Sequence, residues 1–247
     1  MQKKAIELNR KRIVMNFSVI LSGGTGTRMR NDGFPKQYIE VSGKPILMHT
    51  VTVFEQSKDV DAIVVVAASE WNNKIKEWMK EFKINKFAGI APAGKSRQES
   101  VYNGFKYCAD IHYDSQDIVI LHEAVRPLVS LELIHSIQTS AKNSDVVMPV
   151  LPMSDTIYQS VDGKKVTHLL DRSTLYAGQS PEVFYLKKFL EIQEKIPKEE
   201  MIKYRGASEL AFRYGLQVTF VKGDDMNFKL TTPADLNRYL SLIRNKK

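Results

Sequence analysis

The hydrophobic positions fall into two alternating rhythms along the chain. Phe17-Ser18-Val19-Ile20-Leu21, Ala62-Ile63-Val64-Val65-Val66-Ala67, Asp117-Ile118-Val119-Ile120-Leu121 and Val146-Val147-Met148-Pro149-Val150 are short, β-rich apolar runs. Such runs are expected of strands buried on both faces of a sheet. A further short strand is expected near Phe87–Ile90. Between these runs, Ile46–Phe54, Trp71–Phe82, Arg97–Cys108 and Leu131–Ala141 carry apolar residues at helical spacing. Strands that alternate with helices predict right-handed crossovers. The fold class expected is therefore α/β: a Rossmann-like, mostly parallel sheet with helices on both faces.

The rhythm changes after Val150. Thr156–Gln159 and Lys165–Leu170 flank Asp162-Gly163, a strong hairpin signal. This predicts an inserted β-hairpin arm at about 151–180, which either lids its own site or reaches a neighbouring subunit. Gln217–Val221 reads as a last strand and Pro233–Ile243 as a last helix, with Thr232 as its N-cap and Pro233 in its first turn. Residues 1–16 are polar and basic, an N-terminal extension ahead of one domain spanning 17–247, with Met15 a second candidate start.

Composition narrows the class. A length of 247 residues, 43% apolar, suffices for one α/β core. The single cysteine, Cys108, excludes an intramolecular disulfide and any multi-cysteine zinc site. The lack of a long apolar window predicts no membrane span, and the cytoplasm is the expected location. The net charge of +8 suits either nucleic acid or a site that handles phosphates. Basic residues are dispersed along the chain, so no nucleic-acid partner is expected.

The most informative stretch is Leu21-Ser22-Gly23-Gly24-Thr25-Gly26-Thr27-Arg28-Met29, directly after the first buried strand and followed by Pro35-Lys36. Glycines there allow backbone amides to approach an anion closely. Arg28 and Lys36 are placed to neutralise charge that develops when a triphosphate is attacked. The run is neither a Walker-type phosphate loop nor a dinucleotide fingerprint. Taken alone, it is equally readable as a plain turn between strand and helix.

With Gly24-Thr25-Gly26-Thr27-Arg28-Met29 and Pro35-Lys36-Gln37, the chain resembles the cytidylyltransferases that make CDP-ribitol or CDP-methylerythritol, over about Phe17 to Leu240. The resemblance implies that Leu21, Ser22, Gly23, Gly24, Thr25 and Gly26 hold the CTP triphosphate, and that Arg28 and Lys36 act on the transition state. It implies a cytosine pocket in Gly94-Lys95-Ser96-Arg97-Gln98-Glu99-Ser100. Glu123, at the carboxyl end of a strand where open sheets bind ligands, stands where the family usually has aspartate. A ribose contact, or a water-mediated contact to Mg²⁺, follows for it by resemblance; no direct metal ligand is assigned. For neighbouring His122 the preferred reading is a structural hydrogen bond, and for Arg126 structure and acceptor binding are equally weighted.

Further resemblance gives Thr156, Arg172, Ser180 and Lys229 to the acceptor, with Arg126. A guanidinium such as Arg172 offers a bidentate fork to phosphate. The family's arm crosses a dimer interface, so a homodimer through the hairpin is implied, with Thr156 and Arg172 serving the partner's site. Tyr204-Arg205-Gly206 departs from the family, which has a threonine and acidic residues there. The reaction implied transfers a cytidylyl group from CTP, with Mg²⁺, to an alditol phosphate. Arg28, Lys36, Arg172 and Lys229 are the candidate catalytic residues. Ser22-Gly23-Gly24 looks more like the ribitol-phosphate branch than the methylerythritol branch, which tends to place alanines before its glycine. The alternatives are 2-C-methyl-D-erythritol 4-phosphate as acceptor and, more remotely, a non-catalytic nucleotide-binding protein.

Overall fold

The computed structural model describes residues 14–24 and 34–244. Among these, the central sheet has eight strands. Strands β1 (Asn16–Leu21), β4 (Ala62–Ala67), β5 (Phe87–Pro92), β6 (Ile118–Glu123) and β7 (Val146–Pro152) fall on the predicted runs. The numbering includes a small hairpin of β2 (Glu40–Val41) and β3 (Lys44–Pro45). β1 lies between β4 and β6 and is parallel to both, and β5 extends the sheet beyond β4.

The other half of the sheet contains the antiparallel members. β11 (Glu182–Tyr185) is inserted between β6 and β7 and runs against both. β10 (Tyr176–Gly178) pairs antiparallel with the end of β7, and β12 (Val218–Lys222) pairs parallel with β7. Neither β10 nor β11 is in the predicted set.

Alternate strand residues feed two cores. Ile20, Ile63, Val65 and Ile120 face α1 (Ile46–Gln56), α2 (Asn72–Glu81) and α4 (Leu131–Ser140), while Phe17, Val19, Val64 and Val119 face the opposite side. That side is covered by α3 (Arg97–Ile111), α5 (Leu186–Lys195) and α7 (Ala207–Arg213), with the short α6 (Lys198–Met201) between the last two. Burial on both faces explains why these strands read as continuous apolar runs rather than alternating ones. A close approach at Gly104 seats α3 on the sheet: a Cβ there would lie 2.6 Å from Val19 Cγ1.

A third cluster, with Val41, Ile46, Leu230 and Tyr239, fixes α8 (Pro233–Arg244) beside the β2–β3 hairpin. Met15 is fully buried, and its amide donates to Asp117 Oδ1 at 2.7 Å.

The arm leaves the sheet after β7. β8 (Ile157–Gln159) and β9 (His168–Leu170) form a separate antiparallel pair, and Asp162 Oδ1 accepts the amides of Lys164 and Lys165 in its turn. Tyr158, Val161, Val166 and Leu169 on this arm are exposed.

Candidate active site

The carboxyl ends of β1, β5 and β6 open on one edge of the sheet, and a cavity of about 430 Å³ lies there. A volume of this order suits a small ligand. Its lining includes Leu21, Ser22, Gly23, Gly24, Lys36, Gln37, Gly94, Lys95, Ser96, Arg97, Ser100, Glu123, Val125 and Lys229. Segments far apart in sequence but predicted to share a site therefore meet. Thr25, Gly26 and Arg28 lie outside the described residues.

Local chemistry builds each wall. Gly23 lies so close to its neighbour that a Cβ would stand 2.6 Å from Ala93 Cβ. After it, a 3-10 turn at Lys36–Tyr38 is locked to the glycine loop. Gln37 Nε2 donates to Ser22 O at 2.7 Å and to Gly24 O at 2.8 Å. The Tyr38 hydroxyl donates to Ser22 O at 3.2 Å, while its ring stacks on Trp71 at 4.1 Å. Lys36, 8% exposed, is thereby held in the cavity wall. Sequence alone assigns no site role to Gln37 or Tyr38, although Gln37 sits inside the motif that points here.

The opposite wall is the start of α3. Ser96 caps the helix by accepting the Glu99 amide, and Glu99 Oε2 reaches back to the Lys95 amide at 2.7 Å. Gly94 N donates to Ser100 Oγ at 2.9 Å, and a Cβ on Gly94 would fall 2.4 Å from Glu99 Cβ. The helix N-terminus with its positive end thus borders the cavity. Gln98 turns away: buried, it donates to the carbonyls of Tyr204 and Gly206 at 3.2 and 2.7 Å, so it holds the atypical 204–206 segment in place behind the site.

Glu123 is the one carboxylate among the described cavity-lining residues. Lys229 Nζ lies 2.6 Å from its Oε1, Arg126 Nε 3.0 Å from its Oε2, and Arg97 Nη2 3.5 Å from Oε1. Burial alone would raise this carboxyl, but the charges of Lys229, Arg97 and Arg126 outweigh burial and hold it well below the usual carboxylate range. Glu182, buried nearby, is raised by the same desolvation, offset in part by Arg97. Lys229 is fixed further by the Leu230 amide, which donates to Val125 O at 2.9 Å.

The remaining candidates lie elsewhere. Arg126 donates through Nη1 to Asn227 O at 2.7 Å and braces Glu123 rather than lining the cavity. Ser180 is buried, its hydroxyl 3.1 Å from His122 Nδ1. His122 Nε2 meets Arg126 O at 3.1 Å, the structural role preferred for it from sequence. Burial pushes its imidazole down to about 3. Thr156 and Arg172 are exposed on the arm and do not line this chain's cavity; Arg172 Nη1 donates to Ser154 O at 2.6 Å.

No cluster of three or more His, Cys, Asp or Glu that would cage a metal occurs among the described residues. With three cations already around Glu123, the donor set does not fit a protein-held divalent ion. No helix among them is long and apolar enough to cross a membrane.

Comparison with known proteins gives one consistent grouping. The sequence pattern described as "IspD: 2-C-methyl-D-erythritol 4-phosphate cytidylyltransferase" matches residues 17–244. The chain is 32% identical over 234 residues to a protein of Lactiplantibacillus plantarum named ribitol-5-phosphate cytidylyltransferase, covering 94% of this chain and 100% of that one. It is 39% identical over 225 residues to a protein of Halalkalibacterium halodurans named 2-C-methyl-D-erythritol 4-phosphate cytidylyltransferase, covering 90% and 94%. In fold it is similar to a 4-diphosphocytidyl-2C-methyl-D-erythritol synthase of Anaerococcus prevotii, with a TM-score of 0.78 at 24% identity, covering 93% and 96%.

Proposed function

The chain belongs to the IspD family of cytidylyltransferases and is an enzyme of that kind; within that activity we propose ribitol 5-phosphate as the acceptor, giving CDP-ribitol and pyrophosphate. The observation that carries the choice of branch is Gly23, whose contact with Ala93 leaves no room for the side chain that the methylerythritol branch tends to place before its glycine. The second reading, 2-C-methyl-D-erythritol 4-phosphate as acceptor, rests on the relative at 39% identity.

In the proposed mechanism an oxygen of the acceptor phosphate attacks the α-phosphorus of CTP in line, and the bond to pyrophosphate breaks. The acceptor is already ionised near neutral pH, so positioning and charge neutralisation supply the catalysis. The glycine loop and the 94–100 segment hold the nucleotide, Lys36 and Arg28 neutralise the phosphoryl oxygens, and Lys229 meets the acceptor phosphate. Mg²⁺ is proposed to enter with the triphosphate and be ligated by its oxygens, and no step is assigned to it through the protein.

Thr156 and Arg172 are proposed to complete the site of a second copy, forming a homodimer through the arm. That neither lines the local cavity, and that Tyr158, Val161, Val166 and Leu169 are exposed on the arm, support this. The cytoplasm is the compartment proposed.

The test measures pyrophosphate release from CTP with ribitol 5-phosphate and with 2-C-methyl-D-erythritol 4-phosphate in parallel, with Lys36→Ala as control. Release with ribitol 5-phosphate and at least tenfold less with the other supports the reading. The reverse ratio replaces it with the second.

A further inference from the structure

Glu123 and Lys229 meet at 2.6 Å on the cavity wall, yet Lys229 is the cation proposed to meet the acceptor phosphate. The carboxylate is shared with Arg126, three residues on in the turn that follows β6, and with Arg97 at the start of α3. Its own solvation is therefore secured even when Lys229 gives up part of its contact. Arg126 is in turn anchored on Asn227 O, and Asn227 Nδ2 on Ser180 O at 2.6 Å, so this side of the cluster is rigid. Lys229 differs: about a third of its side chain is exposed, at 35%, against 12% for Arg126.

From this asymmetry we propose that Glu123 is a positioning residue and built-in counter-ion for Lys229, fixing the ammonium at the cavity wall and tempering its hold on anions. It rests on the reading of Lys229 as a phosphate contact. An ammonium has three N–H donors, of which Glu123 engages one side and leaves the rest to the cavity. A dianionic phosphate that enters competes with a carboxylate already served by two guanidiniums, so Lys229 turns to it without stranding a charge. Without Glu123 the three cations Arg97, Arg126 and Lys229 lose the carboxylate they share, the buried Glu182 acting on Arg97 alone, and any small anion binds more tightly. The carboxylate thus keeps the site open for exchange in a cell rich in phosphate.

The test uses the whole protein and inorganic phosphate as probe. Glu123→Gln should tighten inhibition by inorganic phosphate about tenfold, the order expected when a unit negative charge leaves the side of an anion site in a solvent-open cleft. Turnover should fall at the same time, while KM for CTP changes less than KM for the acceptor. Damage to the fold weakens binding and does not tighten it, so the sign separates this role from a structural one. Adding Lys229→Met to that variant should abolish most of the tightening. A folded Glu123→Gln protein with unchanged or weaker phosphate inhibition overturns the proposal.

Should Glu123→Gln not fold, the wild-type chain still decides. The Lys229 side-chain ammonium resonance, identified by its loss in Lys229→Arg, should shift on addition of inorganic phosphate; no shift at saturation overturns the proposal. A wild type that makes no CDP-alditol at all counts against the proposed function, whereas normal product formation with no gain in phosphate inhibition counts against this inference alone.

Discussion

His122 should make folding stability depend on pH in a window where most carboxylates are silent. It is fully buried at the end of β6, its ring 5.1 Å from that of Phe54, with Ser180 Oγ and Arg126 O taking its two nitrogens. Its pKa is lowered from 6.5 to about 3: burial is the main cause and the charge of Arg126 adds to it, while the Arg126 carbonyl and Glu123 act the other way. Below pH 6.5 the unfolded chain takes up a proton that the folded chain refuses. Stability therefore falls as pH drops, by about 1.4 kcal/mol per unit, until the folded pKa is reached. Between pH 8 and 5 the loss is about 2 kcal/mol.

His122→Gln removes this proton. It should cost about 1–3 kcal/mol at pH 8 through the broken pair of hydrogen bonds, and its urea midpoint should change less between pH 8 and 5 than that of the wild type. The fluorescence of Trp71 and Trp78 reports the unfolding, and the difference between the two proteins cancels the other histidines and carboxylates. Parallel stability curves for wild type and variant over that range would refute the reasoning.

Other expectations concern packing, catalysis and assembly. Gly104→Ala should destabilise by about 1–3 kcal/mol, because its Cβ meets Val19 and Val66 in a filled core; thermal unfolding checks this, with KM values unchanged in the folded fraction. Lys36→Ala should lower kcat about 10²–10³-fold, the range for losing one preorganised charge or donor in the transition state, with Tm within a few degrees, as steady-state kinetics and calorimetry will show. Tyr158→Ser with Leu169→Ser on the exposed arm should shift sedimentation from dimer to monomer and lower activity at equal folded concentration. An unchanged sedimentation coefficient would remove the arm as the interface.

The core of the fold is legible in the sequence because strands buried on both faces have only one composition available to them. β1, β4, β6 and β7 read directly as apolar runs, and α1 to α4 as helical spacing. β11 is not legible. Its four residues, Glu182-Val183-Phe184-Tyr185, are too few for a period, and one of them is a buried carboxylate that looks like a surface residue in sequence. α5 lies outside the predicted set although Leu186, Phe189 and Leu190 carry helical spacing; it follows immediately on a segment dominated by the arm. Such local omissions leave the architecture intact because β11 fills a slot between β6 and β7 that the parallel frame leaves open.

The site divides along a different line. Gly23 is marked by its own context, since a glycine just past a buried run is a place where the backbone is approached closely, whereas Gly94 is marked by the resemblance. The partners that side chains take across the chain are not legible. Glu123 meets Lys229 across 106 positions, and Gln98 meets Tyr204 and Gly206 across 106 and 108. Only the shared edge of a parallel sheet brings such pairs together, and a side chain's direction at that edge depends on its counter-charge. Arg126, equally weighted between structure and acceptor, is drawn by Glu123 and the Asn227 carbonyl away from the cavity, whereas Lys229, bound to the same carboxylate, stays on its wall. The difference between a bracing and a working cation thus lies in the second partner, which Arg126 has in a backbone carbonyl and which, for Lys229, the acceptor phosphate is proposed to supply.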